Sequence, residues 1–398
     1  MKKRLIRKLT TQEWCVLAVV SVFGILLRYH LRNDISGDYR VFLKPWYDTI
    51  QKSGTQALSE QVGDYNLPYQ CMILLMTKLP MDSLYAYKLV SCLFDYLLAG
   101  AAAALICELT MSKKAAIAGF CMVILFPQVW IDSAHWAQCD SIYTFWVILA
   151  VLLYLQDREN LSFFVLGIAL SFKMQAVFAV PFFLTAWFLW GHPFRKFFWA
   201  VPGFYLFCIP ALTAGRKPLD PLAIYLNQTT EYSAIRFNFP SFWGILFPAG
   251  GHSEWNGAAI LVTILALILG VWWMAFAFQK NVQKNGKVIC QVKDKNSGVL
   301  LRLCIWSIWT CVLFLPNMHE RYAYALDILM IVLFFSTKNI REVPVIALCW
   351  MSSLACYGTA RLELPLSTDL FRLICCLYTA AYAGFCRKTM QRLRKEEC

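Results

Sequence analysis

The sequence predicts an all-α integral membrane protein, a bundle of about twelve spans, and three observations lead there. Of its 398 residues, 59% are hydrophobic and 15% charged, against roughly 45–50% apolar in a soluble domain. Mean hydropathy is +0.53. Apolar stretches near the roughly 20 residues that a bilayer core demands recur from Trp14 onward. Helices satisfy their own backbone groups in lipid, whereas a barrel would alternate in shorter segments.

Taken in order, the basic start MKKRLIRKLT and the apolar run behind it resemble a signal peptide. No small-residue cleavage site follows Leu27, so the segment reads as a retained first helix. With that start inside, the positive-inside rule puts the basic loops at Lys113 and Lys114, at Arg195 and Lys196, from Gln279, at Lys338 and Arg341, and the tail CRKTMQRLRK on the inner side. The segment Leu67 to Pro80 is bounded by prolines and short of a span. Were it to cross, the loop at Lys113 would fall outside with several later ones, so it is expected to be re-entrant or interfacial. The expected spans are 14–31, 84–108, 115–130, 141–155, 160–171, 175–190, 196–213, 256–278, 298–315, 322–336, 343–358 and 367–386. One domain covers 1–398, with outer loops 32–83 and 214–255 and an inner basic loop 279–297, and no internal repeat is visible.

These loops account for the net charge of +13 without a nucleic-acid partner. The 16 cysteines lie almost all in apolar spans with no CxxC pair, so neither a disulfide framework nor a zinc site is expected.

Polar residues that the positive-inside rule leaves unexplained gather on the predicted outer side. They are Asp38, Asp48 and Asp64; His135 and Asp140; Lys173 and Gln175; Asn238; and His319, Glu320 and Arg321. Lys173 and the HER run are wedged between apolar segments, where an unpartnered charge is expensive. Asp95 lies inside a span, at a cost of roughly 2.5–3.5 kcal/mol unless paired. It either orients a base or a cation, or pairs with a basic side chain to lock helix packing.

An ordered series of short motifs suggests a family. SGDYRVFLKPWYD resembles a first-loop Gly-Asp-aromatic motif followed by an aromatic-rich amphipathic helix, and VGDYNLPYQ a second acidic-aromatic-proline motif that has one proline here. YKLVSCLFDYLL sets Lys88 seven positions before Asp95; MSKKAAIAGFCMVILFPQVWIDSAHWAQCDSIY resembles a basic loop, an ascending helix and a His-aromatic-Gln loop. SFKMQAVFAVP is similar to an aromatic-Lys-Gln motif with Met174 and Gln175 exchanged, and NMHERYAYALD to a His-Glu-basic motif. Together they resemble the GT-C class of glycosyltransferases, which take a sugar from a polyprenyl or dolichyl phosphate. Nearest in pattern are the N-glycosylation glucosyltransferases and bacterial relatives of GPI-anchor mannosyltransferases. The resemblance implies a GT-C-like fold, an essential acid at Asp38, transfer of mannose or glucose on the outer or lumenal face, and a bacterial cell membrane, or the endoplasmic reticulum in a eukaryote. The implied partners are a polyprenyl-phosphate-linked sugar, a glycan or lipid-linked acceptor, and membrane lipids.

The chemistry needs a carboxylate to take the acceptor's hydroxyl proton and cations to receive the leaving phosphate. Asp38 is the expected base, and the other reading is an N-cap for the following helix; Asp64 is the second candidate, with Asp95 and Glu320 as supporting acids. Arg321 suits the phosphate through its planar fork, joined by His319 and Lys173. The alternatives are a Glu320–Arg321 pair that tethers a loop and a Lys173 that snorkels to the head groups. His135, Gln138, Asp140 and Gln175 are expected at sugar or acceptor, with Trp136 beside them, although interfacial structure explains His135 and Gln138 as well. Asp38, Asp64, Asp140 and Glu320 could in principle build an oxygen site for a cation. Relatives with monophosphate carriers generally work without metal and the chain has no compact DxD, so neither metal nor cofactor is expected. A flippase of lipid-linked sugars would show a repeat and midplane charges, of which only Asp95 fits. A scaffold subunit would show no convergent acid.

Overall fold

A computed structural model of the chain describes residues 9–190, 194–231, 234–284, 297–337 and 339–395, and among them helices are the sole regular structure. Helix α1, Thr11–His30, starts at a capping box in which the Thr10 hydroxyl accepts from the Glu13 backbone and the Glu13 carboxylate from that of Thr10. A π-helical turn at Tyr39–Leu43 runs into α2, Lys44–Ser53, and α3 follows at Leu67–Met76. At about 1.5 Å per residue, the ten residues of α3 reach only half-way across a bilayer core.

The long α4, Ser83–Thr110, is capped by the Asp82 carboxylate and ends at Met111 in the left-handed conformation, which turns the chain into α5, Lys113–Leu125. Pro127 lacks the N–H that would continue α5. The short α6, Pro127–Trp130, therefore departs at 48° and passes into a second π-helical turn at Ile131–His135. Helices α7, Asp140–Leu155, and α8, Glu159–Phe172, form a hairpin. A 3₁₀ turn at Met174–Ala179 leads to α9, Val180–Trp190.

The expected span 196–213 is broken. Pro202 and Pro210 leave α10, Ala200–Leu206, and α11, Ile209–Thr213, with α12 at Asp220–Glu231 behind them. α10 lies so close to α8 that a Cβ on Gly167 would sit 2.0 Å from the Ala200 carbonyl oxygen, and one on Gly203 1.9 Å from that of Phe164. A one-turn α13, Trp243–Leu246, precedes α14, Asn256–Lys284. The chain then forms α15, Ser297–Phe314, α16, Tyr324–Ser336, α17, Val343–Arg361, and α18, Thr368–Lys395. Residues 285–296 of the expected basic loop lie outside the described residues.

Among the described residues, five helices are long and apolar enough to cross a bilayer, a sixth if the bent α5–α6 pair counts as one, and six further apolar helices are shorter, at 10–17 residues. The expected spans at 141–155, 160–171, 175–190, 298–315 and 322–336 correspond to these shorter helices. Apolar runs say how far a segment can stay in lipid, but prolines and turn residues decide how far it stays helical.

α4 packs on α5, α7 and α16 at the centre of the bundle. Its fully buried Asp95 is met by Arg28 of α1, with Nε and Nη2 both 2.9 Å from Oδ2, and by the Ser133 hydroxyl at 2.6 Å. Arg28 Nη1 also donates to the carbonyls of Gly24 and Ile124, so one guanidinium joins α1, α4 and α5. Arg28→Leu, which leaves Asp95 buried and unpaired, should lower stability by about 3–5 kcal/mol, and the double variant Arg28→Leu/Asp95→Leu by much less. Unfolding midpoints in detergent check this, and equal losses in the two variants would remove the pair's structural role.

Candidate active site

Asp38 stands just before the first π-helical turn. Its side chain makes no capping bond; Ser36 does that work, taking the Tyr39 N–H at 3.1 Å while its own hydroxyl donates to the Trp136 carbonyl at 2.9 Å. The N-cap reading of Asp38 therefore falls away. Its carboxylate points instead at the loop after the second π-helical turn. Trp136 Nε1 donates to Oδ2 at 2.9 Å and Gln138 Nε2 at 2.6 Å. Arg321 Nη1 lies 3.5 Å and Arg361 Nη1 3.7 Å from the same oxygen. Burial by itself would push the carboxyl up, but Arg321, Trp136, Arg361 and Gln138 together outweigh it and hold Asp38 below the ordinary carboxylate range. Asp38 is thus a stable carboxylate at neutral pH.

A second charge pair borders the same cavity. Lys173, the residue that ends α8, sends Nζ to Asp140 Oδ1 at 2.6 Å; the lysine is buried and the aspartate fully so. Burial favours the neutral amine, yet Asp140 more than offsets it and keeps Lys173 protonated. Lys173 therefore does not snorkel. Its ammonium lies 5.4 Å from the Tyr65 ring, whose hydroxyl donates to Gln138 Oε1 at 2.9 Å, linking this pair to Asp38 through one amide. Behind it, Asp132 Oδ1 accepts from the Tyr357 hydroxyl at 2.9 Å and Oδ2 from the Asp140 backbone at 3.3 Å.

Glu320 pairs with Arg361 and not with Arg321, so the expected tether between neighbours is not formed. Arg361, the last residue of α17, also sets its guanidinium carbon over the Trp136 ring, 4.1 Å from the centroid. His319 stacks on Phe237 at 4.3 Å with its Nδ1 4.0 Å from Glu320 Oε2. Burial and the adjacent Arg321 pull the imidazole down to about 4, so it is neutral at physiological pH.

Asp38, Asp64, Gln138, Lys173, Gln175, His319, Glu320, Arg321 and Arg361 all line one cavity of about 620 Å³. Asp64 carries its carboxyl raised by partial burial, and Gln228 donates to its backbone carbonyl. Asp140 reaches the cavity only through Lys173. Two expected residues lie elsewhere. Asp95 is held by Arg28 and Ser133, deep between the helices. His135, the last residue of the second π-helical turn, makes a 2.6 Å contact from Nδ1 to Asp34 Oδ2 instead. Lys88, paired with Asp95 in the motif, donates to the carbonyls of Leu31 and Asp34, each at 2.7 Å. Among the described residues no group of three or more His, Cys, Asp or Glu is arranged to hold a metal.

Arg361, Asp132 and Tyr65 were not picked out from the sequence. Arg361 did carry a signal: it is a basic residue on the predicted outer side at the end of an apolar span, the same exception to the positive-inside rule that singled out Lys173 and Arg321.

Among the described residues the chain is an all-helical bundle with membrane-length helices and a cavity where the Asp38 carboxylate faces two guanidinium groups, which puts it in the class of helical membrane proteins. The family comparison narrows that class. The model of glycosyltransferase family 87 matches residues 65–292, more than half of the chain, and the chain belongs to that family. No curated protein matches it. The matched stretch carries Tyr65, Gln138, Asp140 and Lys173, whereas Asp38, Asp64, Arg321 and Arg361 lie outside it and join them only through the fold.

Because the folded state holds His319 near 4 against an ordinary 6.5, the unfolded chain binds the extra proton first. Stability should fall as pH drops from 6.5 toward 4. His319→Gln should flatten that decline, as read from unfolding midpoints across this range. An unchanged slope would mean that the imidazole is not buried against Phe237 and Arg321.

Proposed function

We propose that the protein is an inverting hexosyltransferase of GT-C type, moving mannose or glucose from a polyprenyl-phosphate carrier to an acceptor glycan or lipid-linked glycan. It acts on the outer face of a bacterial cell membrane, or on the lumenal face of the endoplasmic reticulum in a eukaryote. The observation that carries this reading is the shared wall on which the Asp38 carboxylate lies beside the guanidinium groups of Arg321 and Arg361. A base and a phosphate receptor are thereby adjacent.

In this reading an acceptor hydroxyl oxygen attacks the anomeric carbon and its proton passes to Asp38. The bond from that carbon to the phosphate oxygen breaks, and the lipid phosphate leaves with the electron pair. A single displacement inverts the anomeric configuration. Asp38 is a weak base, so the proton moves late, when the forming bond has made the hydroxyl acidic. Arg321 offers the planar fork that suits phosphate oxygens, and its Nε and Nη1 make no hydrogen bond among the described residues. Neutral His319 adds a polar contact beside it. Lys173, already paired, contributes its field together with Asp140, and both act on Arg321. Gln138 and Gln175 suit sugar hydroxyls; Gln175 Oε1 is buried with no hydrogen-bond partner among the described residues. The apolar stretch of the wall, Phe172, Val177, Phe178 and Ile260, suits the first isoprene units of the carrier.

Purified protein assayed with a panel of polyprenyl-phosphate sugars should transfer one of them. Asp38→Asn should reduce turnover by about 10²–10⁴-fold, whereas Asp64→Asn should leave most of it. Full activity in Asp38→Asn would dismiss it as the base, and loss confined to Asp64→Asn would move the role there.

A further inference from the structure

We infer that Asp38 and the donor phosphate compete for the same two guanidinium groups, so that donor binding itself frees Asp38 to act as a base, with Arg361 as the second phosphate-binding residue beside Arg321. The inference rests on the phosphate-donor reading above.

The distances carry the first part. Arg321 Nη1 and Arg361 Nη1 lie 3.5 Å and 3.7 Å from Asp38 Oδ2, beyond the roughly 2.7–3.2 Å of an N–H···O bond. Both cations flank the carboxylate without bonding to it. Arg321 Nε and Nη1 and Arg361 Nε make no hydrogen bond among the described residues. Buried guanidinium donors left unmade are costly, and a phosphate oxygen would meet them.

Charge counting carries the second part. The site sets three cations, Arg321, Arg361 and Lys173, against three acids, Asp38, Glu320 and Asp140, since Asp140 acts on Arg321 as well as on Lys173. A phosphodiester brings a further negative charge into a low-dielectric wall, so one acid has to release its share of the cations. Glu320 is closed in against Arg361, with its side chain 3% exposed, whereas that of Asp38 is 27% exposed. Asp38 is therefore the one that yields. Lys173 is taken by Asp140 and cannot stand in for the arginines.

The consequence is chemical. When the phosphate occupies the guanidiniums, Asp38 keeps Trp136 and Gln138, which hold it in place, but loses the two charges that weaken it as a base. The Trp136 ring under Arg361 keeps that guanidinium oriented while its partner changes. A carboxylate that strengthens only when donor is present is idle in the empty site.

The test uses binding of undecaprenyl phosphate, which carries no sugar to transfer, with undecaprenol and inorganic phosphate as comparison probes. Wild type, Asp38→Asn, Arg361→Gln and Arg361→Lys are compared in detergent. Asp38→Asn, which keeps the shape and removes the competing charge, should bind the lipid phosphate about fivefold or more tightly than wild type. Arg361→Gln should bind it about tenfold or more weakly, with Arg361→Lys between the two. Undecaprenol binding should be the same throughout. Unchanged or weaker binding in Asp38→Asn overturns the competition, and this arm stands even where Arg361→Gln fails to fold. Wild-type affinity in Arg361→Lys together with Arg361→Gln overturns the role of Arg361. Inorganic phosphate that displaces the lipid with the same variant pattern would assign the seat to a free anion and overturn the lipid part. A wild type with no preference for phosphate over alcohol would instead sink the donor reading itself.

Discussion

A charged side chain inside a bundle this apolar costs several kcal/mol unless an opposite charge meets it, and the structure is arranged around meeting that demand. Arg28 answers Asp95 between α1 and α4, Lys173 answers Asp140 between α8 and α7, and Arg361 answers Glu320 across the end of α17 and the loop before α16. Arg302 of α15 and Glu342, just before α17, do the same at 2.5 Å. Each pair joins segments well apart in the chain. Removing one partner leaves a bare charge, so these pairs hold helix positions more firmly than apolar contact alone could specify.

Asp38 departs from that pattern. It is the acid with more neighbours than bonds: two neutral donors grip one oxygen while two cations stand just outside hydrogen-bond range. Its side chain is also more exposed than those of the paired acids Asp95, Asp140 and Glu320. A carboxylate placed this way can change partners without unfolding its surroundings. The two π-helical turns produce the arrangement, because each borders a key side chain directly. One begins right after Asp38, and the other delivers Trp136 and then Gln138. Such turns are frequent at functional sites, where an inserted residue re-aims the side chains beyond it.

Two charge clusters border the cavity. The Lys173–Asp140 pair is short, buried and backed by Asp132 and Tyr357, so it behaves as a fixed dipole in the wall. The arginine side retains unused donors and an acid that can yield. Gln138 connects them, giving its amide N–H to Asp38 and taking the Tyr65 hydroxyl on its oxygen.

Composition and apolar run length were enough to read an all-helical membrane chain, and the exceptions to the positive-inside rule were enough to pick Lys173 and Arg321. Asp38 was singled out by its Gly-Asp turn beyond the first apolar helix together with the resemblance to a family motif, and it lines the cavity. What local sequence could not supply was helix length where prolines interrupt, as at Pro127, Pro202 and Pro210, or the partner of any charge. Glu320 and Arg321 are adjacent in sequence, yet Glu320 pairs with Arg361, and His135 meets Asp34 instead of lining the cavity. The sequence determined which charges had to be buried, since a side chain's cost in lipid depends on its own chemistry. Only the tertiary structure decided whom each charge meets, because that depends on distances between segments that sequence order does not encode.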